Sequence, residues 1–399
     1  MTDIEQIREL AERAIQQLTR VGASDATAHA HVGQTHQVKF ANSKLAVAAT
    51  WSSASLSLFA AFNQRIVSTT VRELTAQRVE GTTQKLAKLA KALPPNEQFQ
   101  GLAQGPFKPS SAGHYDKSLQ QPGEKGVELV EHALELAVEQ GAKRSAGVLD
   151  LSHQEEFLAT SHGAQLSAKH TGAYFSIRCF VDRESSGAQA VCARTLKTLA
   201  LEPAAVRAGE IAKLATQKAK LKPGAYDTVW EALPLAAILN NVGSSASVFS
   251  VEAGFSFLAD KLNQHVGSEH VTLVDDGTLP DGYDSSPFDE EGTTTRPVTL
   301  LDQGVLKTYL HNHSTAKRYH TQSTGHAGLI APRNWNLVLA PGPTPNDQLL
   351  SELKDGVLVT NVWYTRFQNY LTGDFSTIPR DGLFVIKDGQ IQHRSTLQL

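Results

Sequence analysis

Cysteine is almost missing from this sequence: Cys179 and Cys192 are the only two in 399 residues. Two thiols without CxxC spacing exclude a disulfide framework and a thiolate metal site or redox pair. A single bridge between them is the alternative to two reduced thiols, and reduced thiols are the expectation. No apolar run is long enough to span a bilayer, and the opening MTDIEQIREL is acidic and polar where a signal peptide would be basic and then apolar. A cytoplasmic protein with no membrane segment is therefore expected. Basic blocks are missing as well, and the formal net charge is -3, so the electrostatic footprint of a nucleic-acid binder is not there. The chain also has no GxGxxG, no Walker loop, no GxSxG elbow and no HExxH, which removes the nucleotide, hydrolase and zinc sites that such motifs mark.

What remains is a chain that is 41% hydrophobic and 19% charged, enough apolar material for two or three packed domains. Thr2 and Glu5 read as a capping box, and Ile4, Ile7, Ala11, Ala14, Ile15 and Leu18 repeat at helical spacing up to Gly22. From Asp25 to about Val71 the period changes to two. Segments such as QVKF, LAVAAT, LSLFAAF and RIVSTTV are separated by Asn-Ser and Asn-Gln turns, which predicts a meander of antiparallel strands. A helix from about Glu73 to Leu93 then ends at Pro94-Pro95. Residues 1–93 thus read as an N-terminal α+β domain whose sheet is covered on one face.

Residues 94–124 are rich in Pro, Gly, Ser and Gln, show no periodicity, and read as a linker. A second α+β unit is expected over 125–220: a helix lined by Val127, Val130, Leu134, Ala137 and Val138, short strands GVLDLS, EFLATS, QLSAKH and YFSIRCFV, and a helix from Pro203. Residues 221–399 are strand-rich, with Asp-Gly turn markers at 276–277, 281–282, 355–356 and 388–389. The fold class is α+β, in several units.

Histidine is the conspicuous candidate for chemistry. The stretch LHNHSTAKRYHTQSTGHA holds His311, His313, His320 and His326, four of fifteen in the chain. His311 and His313, two apart at the end of an apolar strand, would leave one face and could share a metal. His29 and His31 repeat that spacing in ATAHAHVG, opposite Ala28, Ala30 and Val32. An amphipathic strand with imidazoles on its wetter face explains both pairs without a metal, and it is the preferred reading. Two further patterns carry less. Ser314 to Lys317 matches SxxK, but its companion SDN and KTG motifs are missing. The acidic run FDEEG, Phe288 to Gly292, could hold a hard cation but is more simply a solvated turn.

Longer stretches carry a resemblance. FSFLADKLNQHVGSEHVTLVDDG, SSPFDEEGTTTRPVTLLDQGVLKTYLHNHSTAKRY and QSTGHAG, followed by NLVLAPG, DGVLVT, NYLTGDFS and the hairpin FVIKDGQIQ, resemble the C-terminal portion of the TldD/PmbA family. An older label for this family is modulator of DNA gyrase. The N-terminal helix, meander and helix suit it too, so the resemblance covers nearly the whole chain. It implies one of two branches. TldD-like members are zinc proteases with a His-Glu-x-x-x-His helix and a downstream cysteine ligand. TldE-like (PmbA) members lack these ligands and complete a TldD partner.

The segment matching the ligand helix is EALPLAAILNNVGSS, with Leu, Ala, Ala, Ile, Leu and Asn at 235–240, and no cysteine follows Cys192. A catalytic zinc needs about three protein ligands and an open position, so the resemblance implies a TldE-like subunit with no catalytic residue, metal or cofactor of its own. Zinc would come from a TldD-like partner, and the substrate would be a small or unfolded peptide held in extended form along a strand. The implied peptide-groove candidates are Ser323, Thr324 and Gly325, with Thr372, Gly373 and Asp374, although turn chemistry accounts for all six. Two alternatives stay open: an autonomous peptidase with a metal site rebuilt from histidines 311–326, and a regulatory binding protein, possibly homodimeric, without protease activity.

Overall fold

The computed structural model describes residues 4–110, 113–219 and 221–395. Helix α1 (Ile4–Arg20) buries Ile7, Ala11, Ala14 and Leu18 on one face; the Thr2 cap expected for it lies outside the described residues. Strands β1 (Asp25–Ala41), β2 (Lys44–Phe62) and β3 (Arg65–Val71) form the expected meander. The connecting pairs Asn42-Ser43 and Asn63-Gln64 have φ of 51°, 55°, 49° and 63°, the left-handed backbone of a two-residue hairpin turn that matches strand twist. Helix α2 (Ala76–Ala92) begins where the Thr75 hydroxyl accepts the Arg78 amide.

Next come α3 (Lys125–Glu139), β4 (Arg144–Thr160), β5 (Gln165–Phe180), β6 (Ser186–Ala193) and α4 (Leu201–Leu214). The four short strands expected between 147 and 181 are two long ones. The polar run His153-Gln154-Glu155 looks like a break, yet it stays in register opposite Gln34, Gly33 and Val32 of β1.

The segments 1–93 and 125–220, read as two α+β units, share a single antiparallel sheet of order β3-β2-β1-β4-β5-β6. The junction is β1 against β4, paired from Thr27↔Thr160 to Phe40↔Gly147. Residues directly opposite in such a ladder point to the same side. Ala28, Ala30 and Val38 of β1 with Leu149 and Phe157 of β4 therefore make one apolar face. Helices α1 and α2 cover one half of it, α3 and α4 the other.

The opposite face meets the rest of the chain. Phe59 and Ala61 pack on Phe99 and Leu102, while Leu158 and Leu166 pack on Phe107 and Phe288. The segment 94–124 is thus a strap, not a free tether. Leu102 and Leu119 are buried, and Asp25 Oδ1 accepts the Leu102 N–H at 2.9 Å. Its composition hides this because an extended strap has no helical or strand period; Ser111 and Ala112 lie outside the described residues.

The C-terminal region contains β7 (Lys218–Ala219), β8 (Thr228–Trp230), α5 (Ala232–Ser245), α6 (Val248–Glu252), β9 (Leu273–Asp276), β10 (Pro297–Asp302), β11 (Val305–Leu306), α7 (His313–Arg318), β12 (Leu337–Leu339), α8 (Leu349–Leu353), β13 (Gly356–Val359), β14 (Val362–Asn369), β15 (Asp374–Pro379), β16 (Leu383–Lys387) and β17 (Gln390–Ser395). They form sheets of order β11-β10-β9-β12 and β7-β17-β16-β13-β8 and a separate β14-β15 ribbon. The loop from 277 to 296 reaches back to the large sheet, where Arg194 donates to the carbonyls of Gly282 and Ser285. No helix among the described residues is long and apolar enough to cross a membrane. Both cysteines are free thiols, and burial pushes the Cys179 thiol up to about 11.

Candidate functional site

The open face of the large sheet brings together what the sequence keeps far apart. His31 of β1 is directly opposite Glu156 of β4, and Gln154 is opposite His170 of β5. With a period of two, His29, His31, Glu156 and His170 all project from one side. Glu156 is buried and sits at the centre. His29 Nε2 is 2.8 Å from its Oε2, His31 Nδ1 is 3.9 Å from the same oxygen, and His170 Nε2 is 2.5 Å from Oε1. His29, His31 and Glu156 are the one group of three potential metal ligands among the described residues, with donor atoms within 4.8 Å of one another.

Charge follows from this geometry. Burial pushes the Glu156 carboxyl upward, but hydrogen bonds from His170 and His29 outweigh it and hold the group well below the usual carboxylate range. His31 moves the other way: burial first, then the neighbouring His29, lower it to about 4. Behind His170 stands Arg194, only 3% exposed, with Nη1 3.1 Å from His170 Nδ1. A guanidinium only donates, so His170 Nδ1 accepts and its Nε2–H points at Glu156. The cluster forms one wall of a cavity of about 300 Å³, whose far wall comes from Tyr283, Asp284, Glu290 and Trp335 of the C-terminal region. Arg333 lies over the Trp335 ring at 4.1 Å and pairs with Asp284 at 3.2 Å.

The histidines of 310–327 do not assemble in this way. No strand carries both His311 and His313. Asn312 caps α7 through a reciprocal box with Thr315, so His313 opens a helix while His311 is buried beside it, Nδ1 3.3 Å from Thr315 Oγ1. Burial lowers His311 to about 4. His320 is exposed, with a left-handed φ of 52° just past the end of α7. His326 is wholly buried, Nδ1 2.9 Å from the Thr324 carbonyl and Nε2 3.2 Å from Asp275 Oδ2, the latter contact without hydrogen-bond alignment. None of the four lines the cavity.

The other sequence candidates are also placed. The FDEEG run is not a solvated turn: Asp289 and Glu291 are buried. Asp289 accepts the amides of Glu291, Thr293 and Ala327, and Glu291 accepts that of His313. Burial nevertheless raises Asp289 to about 6, and burial plus the adjoining Asp289 charge raise Glu291 well above its ordinary value. Ser314 and Lys317, the SxxK pair, are spent on the strap, bonding the amide and carbonyl of Gln100.

The peptide-groove candidates fall in two places, neither on the cavity wall. Thr324 is buried with its hydroxyl on the His311 backbone, and the Ser323 carbonyl accepts from Arg296. Gly325 has φ 75°, and a Cβ there would come within 2.4 Å of the Thr294 carbonyl oxygen, so no other residue fits. Thr372, Gly373 and Asp374 turn the β14–β15 ribbon, with the Thr372 hydroxyl donating to Asp374 at 2.7 Å. The segment that the resemblance matches to the zinc-ligand helix of the metal-bearing branch forms α5. Its Leu235, Ala237, Ile238 and Leu239 are half-buried and offer no donor, so a metal does not fit there.

Glu156, His170 and Arg194 are the residues that sequence reasoning missed. The only local signal was the His29/His31 spacing; the glutamate is 127 residues from His29.

Similarity to known proteins agrees with this architecture. Residues 223–396 match the family described as PmbA/TldA metallopeptidase C-terminal domain. A metalloprotease of Methanocaldococcus jannaschii is 35% identical over 123 residues, which is 30% of this chain and 27% of that protein. The chain spans only 26% to 35% of the length of the curated relatives it matches. Solved structures extend the likeness. A modulator of DNA gyrase from Thermotoga maritima superposes with TM-score 0.87 at 20% identity, covering 98% of this chain and 90% of that one. TldE from Thermococcus kodakarensis gives TM-score 0.85 at 21% identity, covering 97% and 90%. At such identities the superpositions show the fold alone. Residues 223–396 of this chain thus carry a C-terminal domain of the PmbA/TldA metallopeptidase type, on a fold shared along nearly the whole chain with these solved structures.

Proposed function

We propose that this chain is the TldE-like, non-catalytic subunit of a TldD/TldE-type metalloprotease that cleaves small or unfolded peptides. One observation carries the reading: α5, where the resemblance implies a zinc-ligand helix in the catalytic branch, presents leucine, alanine and isoleucine side chains that cannot bind a metal. The TldD-like partner supplies zinc and the activated water, and this chain completes the chamber in which the peptide lies extended.

The need for a partner has its own support. Trp363, Tyr364, Tyr370, Leu371, Phe375 and Ile378 of the β14–β15 ribbon are all at least 40% exposed. Phe255, 55% exposed, adds its ring 5.3 Å from that of Tyr370. An apolar patch of this kind marks a protein interface. A cytoplasmic location belongs to the same proposal and is supported by the two free thiols.

Co-expression with a TldD-like chain that bears the His-Glu-x-x-x-His motif tests the reading. A stable heteromeric complex that degrades an unstructured peptide is expected, while this chain alone leaves the peptide intact. Peptidase activity of this chain alone would overturn it, as would failure of the two chains to associate.

A further inference from the structure

We propose that His29 Nε2, His31 Nδ1 and Glu156 Oε2 bind one divalent ion of the zinc class, at a site separate from α5 and from the histidines of 310–327. This goes beyond the subunit reading above and does not depend on it.

Chemistry and spacing both support the site. Two imidazole nitrogens and one carboxylate oxygen suit zinc and its transition-metal neighbours, whereas calcium and magnesium prefer oxygen alone. A tetrahedral zinc holds such donors at about 2.0–2.1 Å, which places them about 3.3 Å from one another. Here the separations are 2.8 Å for His29 to Glu156 and 3.9 Å for His31 to Glu156, with all three atoms within 4.8 Å. Small side-chain rotations suffice to close the set. The backbone needs no change, because His31 and Glu156 are already a directly opposed cross-strand pair.

The surroundings orient the carboxylate. His170 donates Nε2–H to Glu156 Oε1, and Arg194 fixes that tautomer by donating to Nδ1. Arg194 is in turn held by the carbonyls of Gly282 and Ser285. His170 thereby occupies Oε1, while Oε2 lies 2.8 Å from His29 Nε2. With the His29 proton carried on Nδ1 instead, both Oε2 and Nε2 present lone pairs to an ion, and the outer groups keep the ligating carboxylate aimed. Three protein donors leave the fourth position of a tetrahedral ion open, and here it faces the cavity of about 300 Å³. That position takes water or an oxygen ligand such as a carboxylate or peptide carbonyl.

The test uses the full chain, stripped with chelator and titrated with zinc, with bound metal read by elemental analysis and affinity by calorimetry. One zinc per chain is expected. His31→Ala and Glu156→Gln should each weaken binding by at least about 100-fold, and the positioning variant His170→Gln by about 10–100-fold. The double variant His311→Ala/His313→Ala should bind as the intact chain does. Cobalt titration of the intact chain should produce the visible absorption of a tetrahedral nitrogen–oxygen site, a readout that needs no variant to fold. Absence of stoichiometric zinc in the intact chain would overturn the proposal. So would zinc that survives His31→Ala and Glu156→Gln in folded protein, or zinc lost only on changing His311 and His313.

Discussion

Two regions of this molecule bury carboxylates next to histidines, and they do opposite things with them. Around Glu156 one carboxylate meets three imidazoles, and hydrogen bonds from two of them, His170 and His29, outweigh burial, so the group stays ionised. Around Asp289 and Glu291 two carboxylates lie side by side, held mainly by backbone amides, and burial wins, so both are raised. The first region borders a cavity. Asp289 reaches the lining of the same cavity, but it and Glu291 are each only 1% exposed and their oxygens are taken up in stitching the 289–293 turn to α7 and to Ala327. A buried charge with cationic or donor partners facing open space can bind, whereas one whose lone pairs are consumed by amides can only hold a fold together.

The largest effect that could break this contrast is on stability. Asp289→Ala leaves three backbone amides without their acceptor, and at about 1–3 kcal/mol for each unsatisfied group the loss should be at least about 3 kcal/mol in urea unfolding. His29→Ala, on the cavity wall, should cost under about 1 kcal/mol. A reversal of that order would merge the two regions into one kind of site.

The next effect is a pH dependence whose sign follows from the raised groups. Asp289 takes up its proton more readily folded (to about 6) than unfolded (3.8). Its contribution is therefore full below 3.8 and is lost as pH rises through 6. Unfolding free energy should fall by about 1–3 kcal/mol across that window, and Glu291→Gln should flatten the fall because it removes the second carboxylate. Stability that rises through the same window in the intact chain, and remains unchanged in Glu291→Gln, would show that burial does not dominate there.

Smaller effects sharpen the account of 310–327. His311→Ala should destabilise by about 1–2 kcal/mol through lost packing and the Thr315 contact. His320→Gly should be neutral or stabilising by about 0.5–1 kcal/mol, since glycine relieves a left-handed backbone just past a helix end. Thermal unfolding resolves both, and a strong loss on His320→Gly would give that imidazole a role beyond its exposed position.

Local structure was legible where the determining contacts are local. The Asn-Ser and Asn-Gln turns, the helical spacing of Ile7, Ala11, Ala14 and Leu18, and the alternation of Ala28 and Ala30 with His29 and His31 each involve residues a few positions apart. Legibility failed where partners are distant. Nothing in 94–124 reveals that Leu102 is pinned by Asp25, and nothing in FDEEG reveals that its outer carboxylates are buried. Histidine density also misled: four histidines within 310–327 are scattered by a helix cap, a left-handed residue and a buried turn, while two at 29 and 31 converge.

Residue pattern alone was enough for α1, the β1–β3 meander with its turns, and the face on which His29 and His31 project, because period and turn chemistry are properties of neighbouring residues. Only the tertiary structure decided that Glu156 stands opposite His31, that His170 and Arg194 stand behind it, and that two apparent units are one sheet. Strand register is set by burial toward both ends of the ladder, where Ala28 and Ala30 meet Ala159 and Phe157 and Val38 meets Leu149, a condition that no local window of the chain contains.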